Sequence, residues 1–227
     1  MTIEASPRRA TVSDRAGALY EIINSRRDTR REFTGAPLAD DVLERILSAA
    51  HAAPSVGLTQ PWDFVIIRSS QTLQRFRDHV TGEREVFARQ LTGERAQTFA
   101  RIKVEGICES GLGIVVGYDP TRGGSTILGR HAFDEAGLFS AVCAIQNLWL
   151  AAAAEGLGVG WVSFYREPFL RSLVDMPEHV RPIAWLCVGQ IDGLPDAPDL
   201  ERAGWRHRTP LASVLHLERY QPAADRQ

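Results

Sequence analysis

Residues 136–154 read AGLFSAVCAIQNLWLAAAA, a run that is apolar on nearly every helical face. It has about the length that crosses a bilayer. Gln146 and Asn147 at its centre, and acidic residues on both flanks, oppose a membrane span, so the run predicts a helix buried inside a globular fold. A helix apolar all round must be covered all round. In a chain of 227 residues, one domain covers part of that surface and a second copy of the chain is expected to cover the rest. The expectation is an obligate homodimer with no membrane partner.

Helical and strand periods alternate around this segment. Ala16, Leu19, Tyr20 and Ile23 fall at i, i+3, i+4 and i+7 and predict a helix from about Ser13. Leu43, Ile46, Leu47 and Ala50 repeat the spacing in a second helix, stopped before Pro54. Leu73, Phe76, Arg77 and Val80 begin a third, and residues 168–174 suit a short one. Apolar runs at 64–67, 112–118, 159–164 and 183–188 read as strands. Residues 81–103 are polar, rich in Arg and Glu and poor in apolar anchors, which predicts a lid-like excursion. Beyond Gly193 the chain turns Pro- and Asp-rich, and 205–227 is expected to form a C-terminal arm with Leu211, Val214 and Leu215 as its apolar points. No repeat or second domain interrupts 1–227.

The formal net charge of −2 gives no basis for a nucleic-acid groove or an anionic membrane partner. Cys108, Cys143 and Cys187 stand alone in apolar surroundings, without a CxxC pair, and the six histidines lack ligand spacing, so no metal is expected. There is no GxSxG elbow and no P-loop. The opening residues are polar and charged rather than secretory in character, and a reducing cytoplasm is the expected compartment.

Chemistry concentrates at Arg26-Arg27-Asp28-Thr29-Arg30-Arg31-Glu32-Phe33. Guanidinium groups at this density suit a phosphate, because each offers planar, permanently charged donors. If helical geometry persists there, Arg26 and Arg30 share a face. Asp28, inside the cluster, is either an ion-pair partner or a placed base. Gly156-Leu157-Gly158-Val159-Gly160-Trp161 looks like a dinucleotide fingerprint but follows a helix and enters a strand, the reverse of what that motif needs. Gly156 reads as the helix cap. Gly158 and Gly160 read as positions where a flat ligand can approach the backbone.

Three segments together carry a family resemblance: the Arg-Arg-Asp-x-Arg segment, the run Ala53-Pro54-Ser55-Val56-Gly57-Leu58-Thr59-Gln60-Pro61-Trp62, and Gly158-Val159-Gly160-Trp161-Val162-Ser163. In that order the chain, from about Tyr20 to Val188, resembles the flavin-dependent nitroreductase superfamily. The resemblance implies an α+β fold with a central, mostly antiparallel sheet surrounded by helices, and a homodimer with FMN at the subunit interface. It also implies that the early arginines hold the FMN phosphate and that the Ala-Pro-Ser loop lines the flavin.

Within the superfamily the chain looks most like the 5,6-dimethylbenzimidazole synthases. Asp28 stands in the arginine cluster, Leu58 stands where nitroreductases commonly have Asn, and Ser163 stands where the synthases have a serine. The resemblance implies that reduced FMN is the substrate and O2 the co-substrate. The products would be 5,6-dimethylbenzimidazole, the lower ligand of vitamin B12, and erythrose 4-phosphate. A separate flavin reductase would supply the reduced FMN. Asp28 and Ser163 are then the catalytic candidates, Asp28 as the base for a ribityl proton. Arg26, Arg27, Asp28, Thr29, Arg30, Ser55, Lys103, Gly160 and Ser163 are the flavin-contacting candidates. An apolar, closed pocket around Val56, Gly57 and Leu58 would shield the reduced ring. Two other readings share the phosphate and ring contacts: a conventional NAD(P)H-dependent reductase, and a flavin-binding protein without turnover.

Overall fold

A computed structural model describes residues 12–221; the outer parts of the expected domain and arm, 1–11 and 222–227, lie outside the described residues. Four strands form one antiparallel sheet in the order β1–β2–β4–β3, with β1 Trp62–Ile67, β2 Gly113–Tyr118, β3 Leu157–Val162 and β4 Arg181–Gln190. The helices are α1 Val12–Ser25, α2 Asp40–His51, α3 Ser70–Ala88, α4 Gly93–Arg101, α5 Ile107–Ser110, α6 Ala136–Ala154, α7 Glu167–Leu173 and α8 Asp199–Arg202.

Period-2 alternation sorts the sheet's side chains into two cores. Ile114, Val116, Ala184, Leu186 and Val188 pack with α2 and α6 on one face. Val115, Trp185 and Cys187 pack with α3, α5 and α7 on the other, where the Trp185 and Phe76 rings stack at 3.8 Å. Because helices cover both faces, every residue of β2 is buried. The nitroreductase-like α+β architecture is thus present, with helices around an antiparallel sheet.

α6 meets α2 and the sheet through Ser140, Ala141, Ala144, Ile145, Leu148 and Ala152, small residues alternating with large ones. Asn147, polar at the centre of the run, donates to the Ala49 carbonyl at 3.1 Å. The opposite stripe stays open: Phe139 is 51% and Val142 39% exposed. Burial on all sides therefore does not occur within one chain. α1 has no buried residue, and its predicted apolar stripe of Leu19, Tyr20 and Ile23 also faces outward.

The polar segment 81–103 is a helical hairpin. α3 continues without interruption to Ala88, and α4 returns along it. Phe87 and Phe99 meet edge to face at 5.0 Å, and Arg84 Nη2 donates to the carbonyls of Phe99, Ala100 and Ile102 at the end of α4. Gly156, at φ +73°, closes α6 as its position foretold.

Candidate active site

α1 stops at Ser25 and the chain becomes extended beside β3. Asp28 bridges Val159 in parallel register, and Thr29 N–H donates to the Val159 carbonyl at 2.9 Å. The segment covers the open edge of β3, whose backbone groups need partners. Helical geometry does not persist, so Arg26 and Arg30 do not share a helical face. Instead the four arginines diverge.

Arg26 lies over the Trp149 ring, 4.8 Å from its centroid. Burial lowers its pKa, Asp28 opposes that, and the nearby Arg208 and Arg27 add to it. Neither Arg26 nor Arg208 forms an ion pair among the described residues. Arg27 directs all its bonds at carbonyls: Asn24, Ser25 and Arg26 at the end of α1, and Pro195 and Asp196 beyond β4. Arg30 Nη1 pairs with Asp28 Oδ2 at 2.5 Å, and its Nη2 donates to the Trp161 carbonyl at 3.4 Å. Arg31 turns the other way, onto the Arg101 carbonyl.

Asp28 is held at both oxygens, because Oδ1 accepts the Trp161 N–H at 3.1 Å. Burial raises its pKa, against the pull of Arg30, the Trp161 N–H and Arg26. Its side chain still has 40% of its surface open. A carboxylate in this state is accessible and more basic than an ordinary aspartate.

Gly160 and Gly158 have a local reason. A Cβ on Gly160 would overlap the Thr29 carbonyl, and one on Gly158 would overlap the side chains of Ile191 and Thr29. The close approach at these Cβ positions is made by the chain's own 28–29 segment. Thr29 is 1% exposed, and its Oγ1 has no hydrogen-bond partner among the described residues.

Arg30, Lys103 and Ser163 come together in one cavity of about 250 Å³, walled by Phe87, Phe99 and Trp205. Lys103 Nζ is paired with Glu109 at 2.5 Å. Ser163 follows the end of β3, is exposed, and also borders a second cavity of about 510 Å³ beside Phe139, Val142 and Tyr165. Burial pushes the Tyr165 hydroxyl up to about 12, so it stays a donor.

Ser55 sits elsewhere. Its Oγ accepts the Gln60 N–H at 3.0 Å, and the Val56 N–H donates to Ser140 Oγ near the start of α6. Arg26 rests on Trp149, nine residues further along that helix, which is about 14 Å at 1.5 Å per residue. The loop carries left-handed Gly57, Leu58 and Gln60 at φ +56°, +53° and +45°. Leu58 is 80% exposed, so the expected closed apolar pocket around Val56, Gly57 and Leu58 is an open surface.

Sequence reasoning missed Arg208. Its signal was a second basic pair, Arg206 and Arg208, in the arm. Two guanidinium groups that form no ion pair among the described residues, beside a Trp face, are a donor set for a phosphate. The aromatic-walled cavity is reached through Arg30, which lines it and pairs with Asp28, itself within the field of Arg26; together these groups fit FMN, which carries both a phosphate and a flat ring.

The nitroreductase family profile matches residues 23–190. A 5,6-dimethylbenzimidazole synthase of Rhodospirillum rubrum is 36% identical over 185 residues, covering 82% of this chain and 87% of the relative. One of Rhodobacter capsulatus is 33% identical, covering 85% and 93%. Among solved structures, oxidized iodotyrosine deiodinase bound to FMN and 3-iodo-L-tyrosine superposes with a TM-score of 0.69 at 20% identity, covering 89% of this chain and all of that one. These matches and the sheet topology agree: the chain is a flavin-dependent oxidoreductase belonging to the nitroreductase family.

Proposed function

We propose that this enzyme fragments reduced FMN with O2 to 5,6-dimethylbenzimidazole and erythrose 4-phosphate, the rest of the pyrimidine ring leaving as a fragment that carries the oxygen atoms. The observation that carries the reading is Asp28, a raised-pKa carboxylate held between Arg30 and the Trp161 N–H, near Arg26 and Arg208, which form no ion pair among the described residues. The relatives named for the same synthesis support it.

Arg26 and Arg208 bind the phosphate, with Arg30 close by. Arg27 and Thr29 hold the 26–30 segment against α1 and β3. Reduced FMN supplies the oxygen-reactive ring when bound. Asp28 takes a proton from the ribityl carbon nearest that ring, and its raised pKa suits a general base. The Ser163 hydroxyl, exposed between two cavities, orients the ring edge by a hydrogen bond. Lys103 flanks the ring, Gly160 gives the Thr29 carbonyl room to seat the 28–29 segment on β3, and the aromatic wall from Phe87, Phe99 and Trp205 excludes water.

The active unit is a homodimer with FMN at its interface. The open stripes of α1 and α6 support this, as does the separation of Ser55 from Arg26 in one chain. Ser55 of the second subunit then completes the site. A separate flavin reductase supplies reduced FMN, and the setting is the cytoplasm.

The test mixes purified protein with chemically reduced FMN under air, without nicotinamide, and resolves products by chromatography with mass detection. Appearance of 5,6-dimethylbenzimidazole with equal loss of FMN is expected. Full recovery of oxidised FMN would overturn the reading.

A further inference from the structure

Arg31, the last arginine of the run, takes no part in the site above. It lines an adjoining cavity of about 320 Å³ with Arg101, Lys103, Asp199 and Arg202, which shares Lys103 and Asp199 with the aromatic-walled cavity. The neighbouring carboxylates leave this cavity cationic. Asp199 meets Arg202 at 3.2 Å, and Glu109 is engaged by Lys103. Glu32, next to Arg31 in the chain, turns Oε2 back to the N–H groups of Arg30 and Arg31. Arg31 and Arg101 form no ion pair among the described residues. Arg31, Arg101 and Lys103 also border a cavity of about 270 Å³ on the α3 side, together with Arg84 and with Glu105, whose carboxylate accepts the Ile107 N–H.

Of the four cations, Lys103 and Arg202 are paired, and the excess charge of Arg31 and Arg101 in a concave site raises the local concentration of anions. Arginine forks match the oxygens of a phosphate in particular. The volume lies at the small end of ligand sites, suited to a sugar phosphate rather than a dinucleotide. Neither Arg26 nor Trp149 lines this cavity, which separates it from the phosphate position assigned to FMN.

We propose that the Arg31–Arg101–Arg202 cavity is a second anion site that binds a small phosphate monoester beside the flavin site. The phosphate could come from free inorganic phosphate or from the phosphorylated fragment of the flavin side chain; only the latter source rests on the reaction proposed above.

The experiment titrates inorganic phosphate and erythrose 4-phosphate, separately, into FMN-loaded and FMN-free full-length protein by calorimetry. Saturable binding of the ester in both forms is expected. It should weaken tenfold or more in Arg101→Gln and in Arg202→Gln, with FMN affinity, read by flavin fluorescence, unchanged in both variants. Tighter binding of the ester than of inorganic phosphate supports the flavin fragment as the source, and equal binding supports free phosphate. Absence of saturable binding, displacement by FMN, or variants that bind like the wild type would overturn the site. The readout does not depend on benzimidazole formation, so failure here and failure of the synthase reading are distinguishable.

Discussion

Asp28 Oδ1 accepts the backbone N–H of Trp161 at 3.1 Å, and this bond ties the candidate base to the strand that ends just before Ser163. Asp28→Asn keeps an oxygen for that N–H but removes the base. Product formation is expected to fall by about 100-fold or more, the usual contribution of a general base, while FMN still binds. Because burial raises the Asp28 pKa, wild-type rate should climb with pH above the ordinary carboxylate range. The stability sign is opposite: the native state favours protonated Asp28, so its contribution is full below the unfolded pKa and is lost as pH rises through the folded one. Denaturant midpoints against pH, wild type beside Asp28→Asn, check this; equal slopes would remove the raised pKa.

Gly160→Ala places a methyl on the Thr29 carbonyl, a backbone atom that cannot rotate aside. The 28–29 segment must lift from β3. A loss of about 2 kcal/mol or more is expected, in the range of overpacked sites, read from urea midpoints. FMN binding should weaken as well, since Arg26 and Arg30 flank the displaced segment. An unchanged midpoint would show that the segment is not seated as described.

Element type was legible wherever a period ran long enough. The strands, α2, α3 and the Gly156 cap were all readable from Leu43, Phe76, Ile114 and their neighbours. The 81–103 hairpin was not, because its anchors are two isolated aromatics, Phe87 and Phe99, that meet across a turn rather than within a period. The Arg cluster was legible as a concentration of charge but not as four different surroundings. That division depends on the edge of β3, some 130 residues away in the chain, drawing Asp28 and Thr29 into extended pairing. Arg208 was invisible for the same reason: only the folded arm returns it to Arg26.

Arg26→Ala and Arg208→Ala should each weaken FMN binding by about 2 kcal/mol, the scale of a charge-assisted hydrogen bond. The double variant should lose less than the sum, because both act on one phosphate. Arg27→Ala should act mainly on stability, since its donors hold five backbone carbonyls. Fluorescence titration with FMN and thermal melts separate the two outcomes; an Arg208→Ala variant with wild-type affinity would remove it from the site.

Leu58 has φ +53° and is 80% exposed, so it gains little from burial in a conformation that disfavours a leucine side chain. Leu58→Asn is expected to stabilise the chain by roughly 0.5–1 kcal/mol, because Asn tolerates the left-handed region. If product yield falls although the midpoint rises, the apolar side chain serves the flavin face rather than the fold. A lower midpoint would mean that Leu58 is covered in the assembled enzyme.

His79 Nε2 accepts the Arg166 backbone N–H at 3.0 Å, three residues beyond Ser163, while its ring stacks on Phe169 at 3.8 Å. An accepting nitrogen must be unprotonated. Burial lowers the His79 pKa and Arg166 adds to this, whereas Glu83, itself paired with Arg166 at 2.8 Å, opposes it. The unfolded chain therefore takes up this proton first as pH falls. The stabilisation is present above the unfolded histidine value, about 6.5, and is lost as pH drops through the lower folded value. His79→Phe keeps the stack and removes the acceptor, so its midpoint should be lower at neutral pH and its slope over this window flatter than the wild type's. A variant that keeps the wild-type slope would assign the pH dependence to another group and leave the Ser163 loop held by other contacts.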